Sequence, residues 1–232
     1  MRVATYNVHA GVGRDRRRDF GRFAAVIAEL GADVVALQEV SKAEEAGDRH
    51  DGFSELDRAF DGFAVEAPAS TGDSALFGNM LLSRWPVRET DVVSLALPGR
   101  EPRNAIHAQI ETPSGPVRVI TAHFGLERRE RSAQARIVGG MIERETKRPV
   151  VVAGDLNDWW PGSEIVRQIS RSLGGPVWPR GPRSFPSGRP LMSLDRILCR
   201  PTENIQRMIA HRSVLARAAS DHLPVVADIL LD

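Results

Sequence analysis

Along the chain, short β-branched and apolar runs alternate with segments whose apolar positions recur at helical spacing. The runs predict strands at 2–8, 33–38, 79–84, 87–95, 105–111, 116–123, 149–154, 194–199, 204–210 and 224–231. Phe20, Phe23, Ala24, Ile27 and Leu30 repeat at helical spacing between Asp19, an N-cap candidate, and Gly31, a residue that ends helices by accepting a left-handed backbone. Further helices are expected over about 127–146, 53–60 and 163–173. Thr112-Pro113-Ser114-Gly115, between two strand patterns, reads as a hairpin connection, so part of the sheet is antiparallel. The fold class is therefore α/β (α+β) rather than a purely parallel Rossmann arrangement. Glycines and prolines at 174, 175, 176, 179, 181, 182, 186, 188 and 190 exclude regular structure there, and loops of that length are often functional.

The 232 residues, 42% hydrophobic and 26% charged, suffice for a full core and read as a single domain over 1–232. A net charge of +1 argues against nucleic-acid binding by bulk charge. The charge is unevenly spread, however. Between Arg167 and Arg217 there are ten arginines against only Asp195 and Glu203, which suits an anionic substrate. Lys42 and Lys147 are the only lysines, a bias that fits either a G+C-rich genome or phosphate recognition. The lone Cys199 excludes an intramolecular disulfide and a cysteine-rich zinc site. The N-terminus runs straight into Val3-Ala4-Thr5-Tyr6-Asn7-Val8 without an apolar signal core, and no apolar run approaches the roughly 18 residues of a membrane span. A soluble, cytoplasmic, monomeric protein is expected.

Several strand patterns end in a polar residue with useful chemistry: Asn7, Glu39, His123 and Asp155. Layered α/β proteins place sites at strand ends, where the sheet fixes positions and the loops leave them open. Asp155 and Asn157, at i and i+2, either share one side of a continuing strand and hold a phosphate or water, or form an Asx-turn leaving it. Ser220-Asp221-His222 precedes the last strand pattern and supplies a carboxylate and an imidazole, whose tautomer Asp195 is placed to fix. The same three residues cannot converge as a serine-hydrolase triad, and no GxSxG elbow exists. His9 either lines the site or bonds a local carbonyl. Trp159-Trp160 forms either a stacking platform or packing for the segment after Asn157. His50, His107 and His211 are read as structural or solvated.

Seven motifs in order carry a resemblance: Thr5-Tyr6-Asn7-Val8, Leu37-Gln38-Glu39-Val40, Gly78-Asn79-Met80-Leu81-Leu82-Ser83, Thr121-Ala122-His123, Gly154-Asp155-Leu156-Asn157-Asp158, Leu194-Asp195-Arg196-Ile197 and Ser220-Asp221-His222-Leu223-Pro224. Together they resemble the endonuclease/exonuclease/phosphatase superfamily, the fold of pancreatic deoxyribonuclease, and in particular a compact bacterial branch of it. The resemblance implies a four-layered α/β sandwich, two mixed β-sheets face to face and flanked by helices, with a site at one edge. It implies that Asn7, Glu39 and Asp221 hold Mg²⁺ or Mn²⁺. Oxygen ligands without a cysteine cluster independently favour such a hard cation.

By the same resemblance, Asp155 orients or deprotonates the attacking water, and Asn157 holds phosphate or water. His222 with Asp195 forms an imidazole–carboxylate dyad. His123 protonates the leaving oxygen or stabilises charge on the phosphate. Arg103 either matches a phosphate-side position or is a solvated surface arginine, and Asn79, Arg183 and Arg189 are further candidates for contact with substrate phosphate, with Phe185 and Trp178 in the same Pro/Gly-rich loop as wedge candidates.

The implied activity is divalent-metal-dependent phosphodiester hydrolysis, with nucleic acid preferred as substrate over a phospholipid or small-molecule phosphodiester. A non-catalytic module on the same fold is disfavoured, because every one of these metal, base and dyad positions is filled. Alanine at Asp155, His222 or Glu39 is expected to abolish turnover with little loss of fold, on the reasoning that strand-end polar groups at an open rim carry little packing.

Overall fold

A computed structural model describes residues 1–45, 48–70, 75–145, 147–160, 162–175 and 181–231. Trp178 and part of the Pro/Gly-rich loop lie outside them. The first sheet contains β1 (Arg2–Asn7), β2 (Val34–Glu45), β3 (Asp48–Asp51), β4 (Phe63–Ser70), β5 (Ala75–Ser83), β11 (Ile205–Ala210) and β12 (Val225–Ile229). Its order is β11-β12-β1-β2-β5-β4, with β3 paired to the extension of β2. The second sheet is β10-β9-β8-β7-β6, built from β6 (Val87–Ser94), β7 (Asn104–Thr112), β8 (Gly115–His123), β9 (Val150–Asp155) and β10 (Asp195–Arg200). Each sheet has one parallel pair, β1 with β2 and β8 with β9, and is otherwise antiparallel. Both are therefore mixed.

Alternation along the strands builds the layers. Val3, Val34, Ala36, Leu81 and Val225 face Ile106, Val119, Val151 and Ile197 across the space between the sheets. Their neighbours Ala4, Val35, Leu37, Leu82 and Val226 point the other way, onto α1 (Phe20–Leu30), α2 (Gly52–Ala59) and α5 (Val214–Ala219). Ile120, Ala122 and Val152 face α3 (Arg128–Arg144) and α4 (Glu164–Ser172). Strands buried on both faces read as continuous apolar runs, which is why they were legible in sequence. In α1 the Asp19 side chain accepts from the Arg22 N–H, and Gly31 ends the helix at φ 55°. No helix among the described residues is long and apolar enough to cross a membrane.

Four elements depart from the expectation, among them the short helix α5, which no expected helix covers. β4 was unpredicted: Phe-Ala-Val-Glu-Ala-Pro-Ala-Ser is alanine-rich and contains Pro68, tolerated because β4 is an edge strand. β3 is wholly polar, and pairs only with β2. β2 itself does not stop at Gln38 but continues to Glu45 through a bulge, where Gln38 and Glu39 oppose the single residue Asn79 and Glu39 takes φ 57°. Strict alternation would send Glu39 towards the helices with Leu37. The bulge turns it into the mouth between the sheets and returns Val40 to the helix side.

The last turn of α3 is fastened by Glu145. Its carboxylate accepts from the backbone N–H of Lys147 at 3.0 Å and of Arg148 at 3.1 Å, and from the guanidinium groups of Arg148 at 3.0 Å and Arg118 at 3.3 Å. Burial opposes its ionisation, but these donors outweigh it and pull the pKa down to about 2. A carboxyl depressed on folding stabilises fully above its unfolded pKa and loses that contribution as pH falls towards the folded value. Glu145→Gln is expected to cost on the order of 1–2 kcal/mol at pH 7. In urea melts that deficit should shrink between pH 4.5 and 2; a pH-independent deficit would show that charge is not its source.

Candidate active site

The ends of β1, β8 and β9, the start of β10 and the segment before β12 open at the same edge of the sandwich, and the β2 bulge adds Glu39. Asn7 bridges the sheets. Its Nδ2 donates to Glu39 Oε1 at 2.9 Å and to Asp155 Oδ2 at 3.1 Å, while its Oδ1 accepts from the His9 N–H at 3.0 Å. Beneath it, Thr5 Oγ1 donates to Gln38 Oε1 at 3.1 Å, and Gln38 Nε2 lies 3.5 Å from Thr121 Oγ1 of the other sheet. A polar layer thus seals the apolar core below the site.

His222 Nδ1 lies 2.9 Å from Asp195 Oδ2, which also accepts from Ser184 Oγ, and Nε2 lies 3.7 Å from Asp155 Oδ2. The Phe185 ring packs on the imidazole at 4.8 Å between centroids. Burial opposes protonation of His222, but the charge and hydrogen bond of Asp195, with Asp155 and Asp221 behind them, raise its pKa to about 10. Burial and then the Asp195 charge raise Asp155, with His222, the Asn157 N–H and Asn7 pulling back. At neutral pH the imidazole is a cation between two carboxylates.

His123 is the opposite case. Arg103 Nη1 donates to its Nδ1 at 2.6 Å, which assigns the ring proton to Nε2. Burial, then the charges of Arg103 and His222, push its pKa well below the usual imidazole range. The Nε2 of this neutral ring lies 3.2 Å from the Asn157 amide nitrogen and faces Asp155 Oδ2 at 3.7 Å and Glu39 Oε1 at 3.8 Å. Arg103 is itself held by Glu101 at 2.8 Å and is not a solvated surface arginine.

β9 ends at Asp155 and Asn157 sits at φ 49°, so the continuing-strand alternative is not realised. The turn is fixed by the Asn157 N–H donating to Asp155 Oδ1 at 2.9 Å and by Asn157 Nδ2 donating to the Phe124 carbonyl at 2.8 Å. Asn157 still lines the cavity. That cavity, about 550 Å³, is bounded by Glu39, Asn79, Arg103, His123, Asp155, Asn157 and His222, with apolar walls from Phe77, Leu126, Trp159, Phe185, Met192 and Leu194.

Other candidates fall differently. Asn79 lines the cavity, but its Nδ2 is engaged by the carbonyl and Oδ1 of Asn104 at 2.8 and 2.9 Å, so it presents an acceptor oxygen rather than a phosphate donor. Arg183 and Arg189 are exposed and do not line the cavity, because the chain around them turns Ser184 and Ser187 inward. Asp221 lies 3.9 Å from His9 Nδ1 and 3.3 Å from Ser220 Oγ, and no hydrogen bond or ion pair among the described residues joins it to Asn7 or Glu39. His9 bonds the Val12 carbonyl at 3.1 Å. Trp159 and Trp160 are exposed, so the packing alternative fails. His50 bonds Ser41 at 2.8 Å, and His211 lies 2.8 Å from Glu29. The sequence reading missed Glu101, Asn104, Leu126 and Met192, which line the cavity.

The acidic mouth fits a hard divalent cation. Glu39 is the partly exposed carboxylate facing the cavity, Asp155 converges with it on one amide nitrogen, and no cysteine is present among the described lining residues. The cluster Asp155, Asp195 and His222 has ligand-like spacing, but the 2.9 Å bond between His222 and Asp195 marks those two as a relay rather than as separate ligands.

Such a sandwich with an acidic, imidazole-lined cleft at the sheet edges defines a phosphoesterase-type hydrolase. Residues 4–222 match the sequence profile of the Endonuclease/Exonuclease/phosphatase family, and the chain belongs to that family, whose members depend on a divalent metal. It is 28% identical to the uncharacterized protein YbhP of Escherichia coli K12, over all of this chain and 96% of that protein. A solved structure described as an endonuclease/exonuclease/phosphatase from Beutenbergia cavernae superposes with a TM-score of 0.79 at 26% identity, covering 100% of this chain and 71% of that one. Sphingomyelinase C from Streptomyces griseocarneus superposes at 0.71 with 17% identity over 99% of both chains, a likeness of fold.

Proposed function

We propose that this protein is a divalent-metal-dependent phosphodiester hydrolase in which water attacks phosphorus in line. The observation that carries the reading is the convergence of Asn7 and Glu39 from one sheet with His123, Asp155 and the His222–Asp195 dyad from the other on a single cavity. Glu39, with Asn7 and Asp155 beside it, holds Mg²⁺ or Mn²⁺, and Asp221 completes the set if its side chain turns inward. The bound cation supplies charge neutralisation at the phosphate.

Every remaining role belongs to the chain. Asp155 Oδ2, kept basic by burial, accepts the proton of the attacking water. The His222 imidazolium, oriented by Asp195, donates to a non-bridging phosphate oxygen, while the Asn157 amide nitrogen, engaged by the Phe124 carbonyl, lines the floor beside it. Neutral His123, with its proton fixed on Nε2 by Arg103, hydrogen-bonds the leaving oxygen without giving up that proton; the leaving oxygen takes its proton from solvent, and Asp155 returns to solvent the proton it accepted. Arg103 thus acts as a positioning residue.

The cavity supports a compact phosphodiester, such as a lipid head group or a small molecule, over a nucleic-acid strand, reversing the preference drawn from sequence. Among the described lining residues the one arginine is engaged by His123 and Glu101, and apart from the His222 imidazolium the remaining charge there is acidic, so successive phosphates have no basic track inside. The test compares wild type with Asp155→Ala, purified identically with Mn²⁺, on supercoiled plasmid, on glycerophosphodiesters and on a short-chain phospholipid below its aggregation limit. Hydrolysis of a head-group diester by wild type alone is expected. Plasmid nicking by wild type alone, with those diesters intact, would overturn the substrate class. Failure on every diester would overturn the reading.

A further inference from the structure

Of the nine exposed large apolar side chains among the described residues, two line the cavity, Leu126 at 73% exposure and Trp159 at 48%, and two more, Trp160 at 72% and Leu191 at 59%, sit one residue along the chain from lining residues. Leu126 follows the β8 end that carries His123, and the two tryptophans follow the turn that carries Asp155 and Asn157. Leu191 lies between the loop carrying Phe185, to whose carbonyl its N–H donates at 2.8 Å, and the cavity-lining Met192. Leu126, Trp159 and Met192 line the cavity itself, and Trp160 shares a neighbouring hollow with Arg128. Scattered exposed apolar residues need no explanation, but a cluster at one mouth does.

The charges of the same loops are complementary to an anionic surface. Arg128 and Arg129 follow Leu126, and Arg183 and Arg189 flank Phe185 and Leu191; all four are exposed, and none makes an ion pair among the described residues. The acid in this stretch, Glu127, is neutralised by Arg100 at 2.5 Å. Two leucines have no π-face, so the ring as a whole is not a base-stacking platform. Indoles beside aliphatic side chains, fringed by arginine, match the boundary between acyl chains and head groups.

We propose that the cavity mouth docks on an anionic phospholipid surface, with Leu126, Trp159, Trp160 and Leu191 entering the acyl boundary and the four arginines lying over the head groups. The proposal rests on the head-group reading of the site and names where its substrate is met: at the membrane surface, with the phosphodiester presented directly to the cavity.

The experiment is co-sedimentation of the wild-type protein with phosphatidylglycerol/phosphatidylcholine vesicles and with phosphatidylcholine vesicles, together with its tryptophan emission. Binding to the anionic vesicles with a blue shift is expected, weakening as salt rises. Trp160→Ser with Leu191→Ser should lose at least tenfold in vesicle affinity while hydrolysing a soluble phosphodiester like wild type. Arg128→Gln with Arg129→Gln should lose roughly fivefold for each arginine removed.

Absence of vesicle binding, an unshifted emission, or a Trp160/Leu191 variant that binds like wild type would overturn the proposal. So would concentration-dependent dimerisation abolished by the same variant, or oligonucleotide binding that displaces the vesicles, since either assigns the patch to another partner. Vesicle binding without hydrolysis of any lipid diester would leave this surface standing and sink the head-group reading; hydrolysis of dispersed short-chain lipid without vesicle binding would do the reverse.

Discussion

Asp155→Asn is expected to lower kcat on a phosphodiester by about 10³–10⁴-fold, the range for loss of a positioned base in an electrostatically organised site. The substitution keeps the shape of a side chain that is 1% exposed and still gives the Asn157 N–H an acceptor. It also removes one of two carboxylates held close to the same imidazole, a repulsion that raises the Asp155 pKa. Relief of that repulsion is set against an amide nitrogen placed opposite the Asn7 donor, so the variant's melting temperature should stay close to that of wild type and above that of Asp155→Ala. Asp155→Ala should be as inactive but less stable, because it leaves the Asn7 and Asn157 donors without their acceptor.

His222→Ala should be both inactive and unstable. It strips the cation from between Asp195 and Asp155, and breaking a buried ion pair on one side costs about 3–5 kcal/mol. Asp155→Asn retaining more than a tenth of wild-type kcat would remove Asp155 from the base role. The expectation from sequence that alanine at Asp155, His222 or Glu39 spares the fold is narrowed on the same grounds to Glu39, since the Asp155 and His222 side chains are buried.

What was legible in the sequence follows the physics of each element. Strands buried on both faces announce themselves as apolar runs, and helices with one buried face announce themselves by spacing, so β1, β8, β9 and α1 were found close to their true bounds. The edge strand β4 and the polar β3 have no such signature, because their stability comes from pairing with a neighbour already in place. In the site, residues that end strands could be read, since the change from apolar run to polar residue is local.

The β2 bulge could not be read, although it decides where Glu39 points; nothing in Leu-Gln-Glu-Val reports a register shift against Asn79. The partners of the imidazoles divide in the same way. Asp195 was named for His222 from the motif, whereas the bond from Arg103 to His123 spans 20 residues and inverts the protonation of that ring relative to His222. Asn79 was read as a phosphate ligand from its place in a motif, and only its engagement with Asn104 shows that the amide hydrogens are turned away.

Chelation is expected to silence the enzyme, with Mg²⁺ or Mn²⁺ restoring it, and Glu39 is where that dependence should be most exposed. Its carboxylate has one oxygen tied to Asn7, and the side chain is 29% exposed at the cavity, while Asp155 beside it is sealed in. Glu39 also holds a left-handed backbone conformation that costs on the order of 1–2 kcal/mol in a non-glycine residue, a strain with no packing return.

Two consequences separate a ligand from a structural carboxylate. A cation that binds only the folded chain raises its stability by about 2.7 kcal/mol at a hundred times the dissociation constant, so millimolar Mn²⁺ should raise the wild-type melting temperature. Glu39→Gln should lose that increment, lose at least 10²-fold in kcat, and need more metal for its residual activity, while Glu39→Gly, relieved of the strained φ, should be at least as stable as wild type without metal. Activity indifferent to chelator would remove the metal from the mechanism. A Glu39→Gln variant that is inactive but keeps the full metal-induced stabilisation would move the cation from Glu39 to the remaining carboxylates.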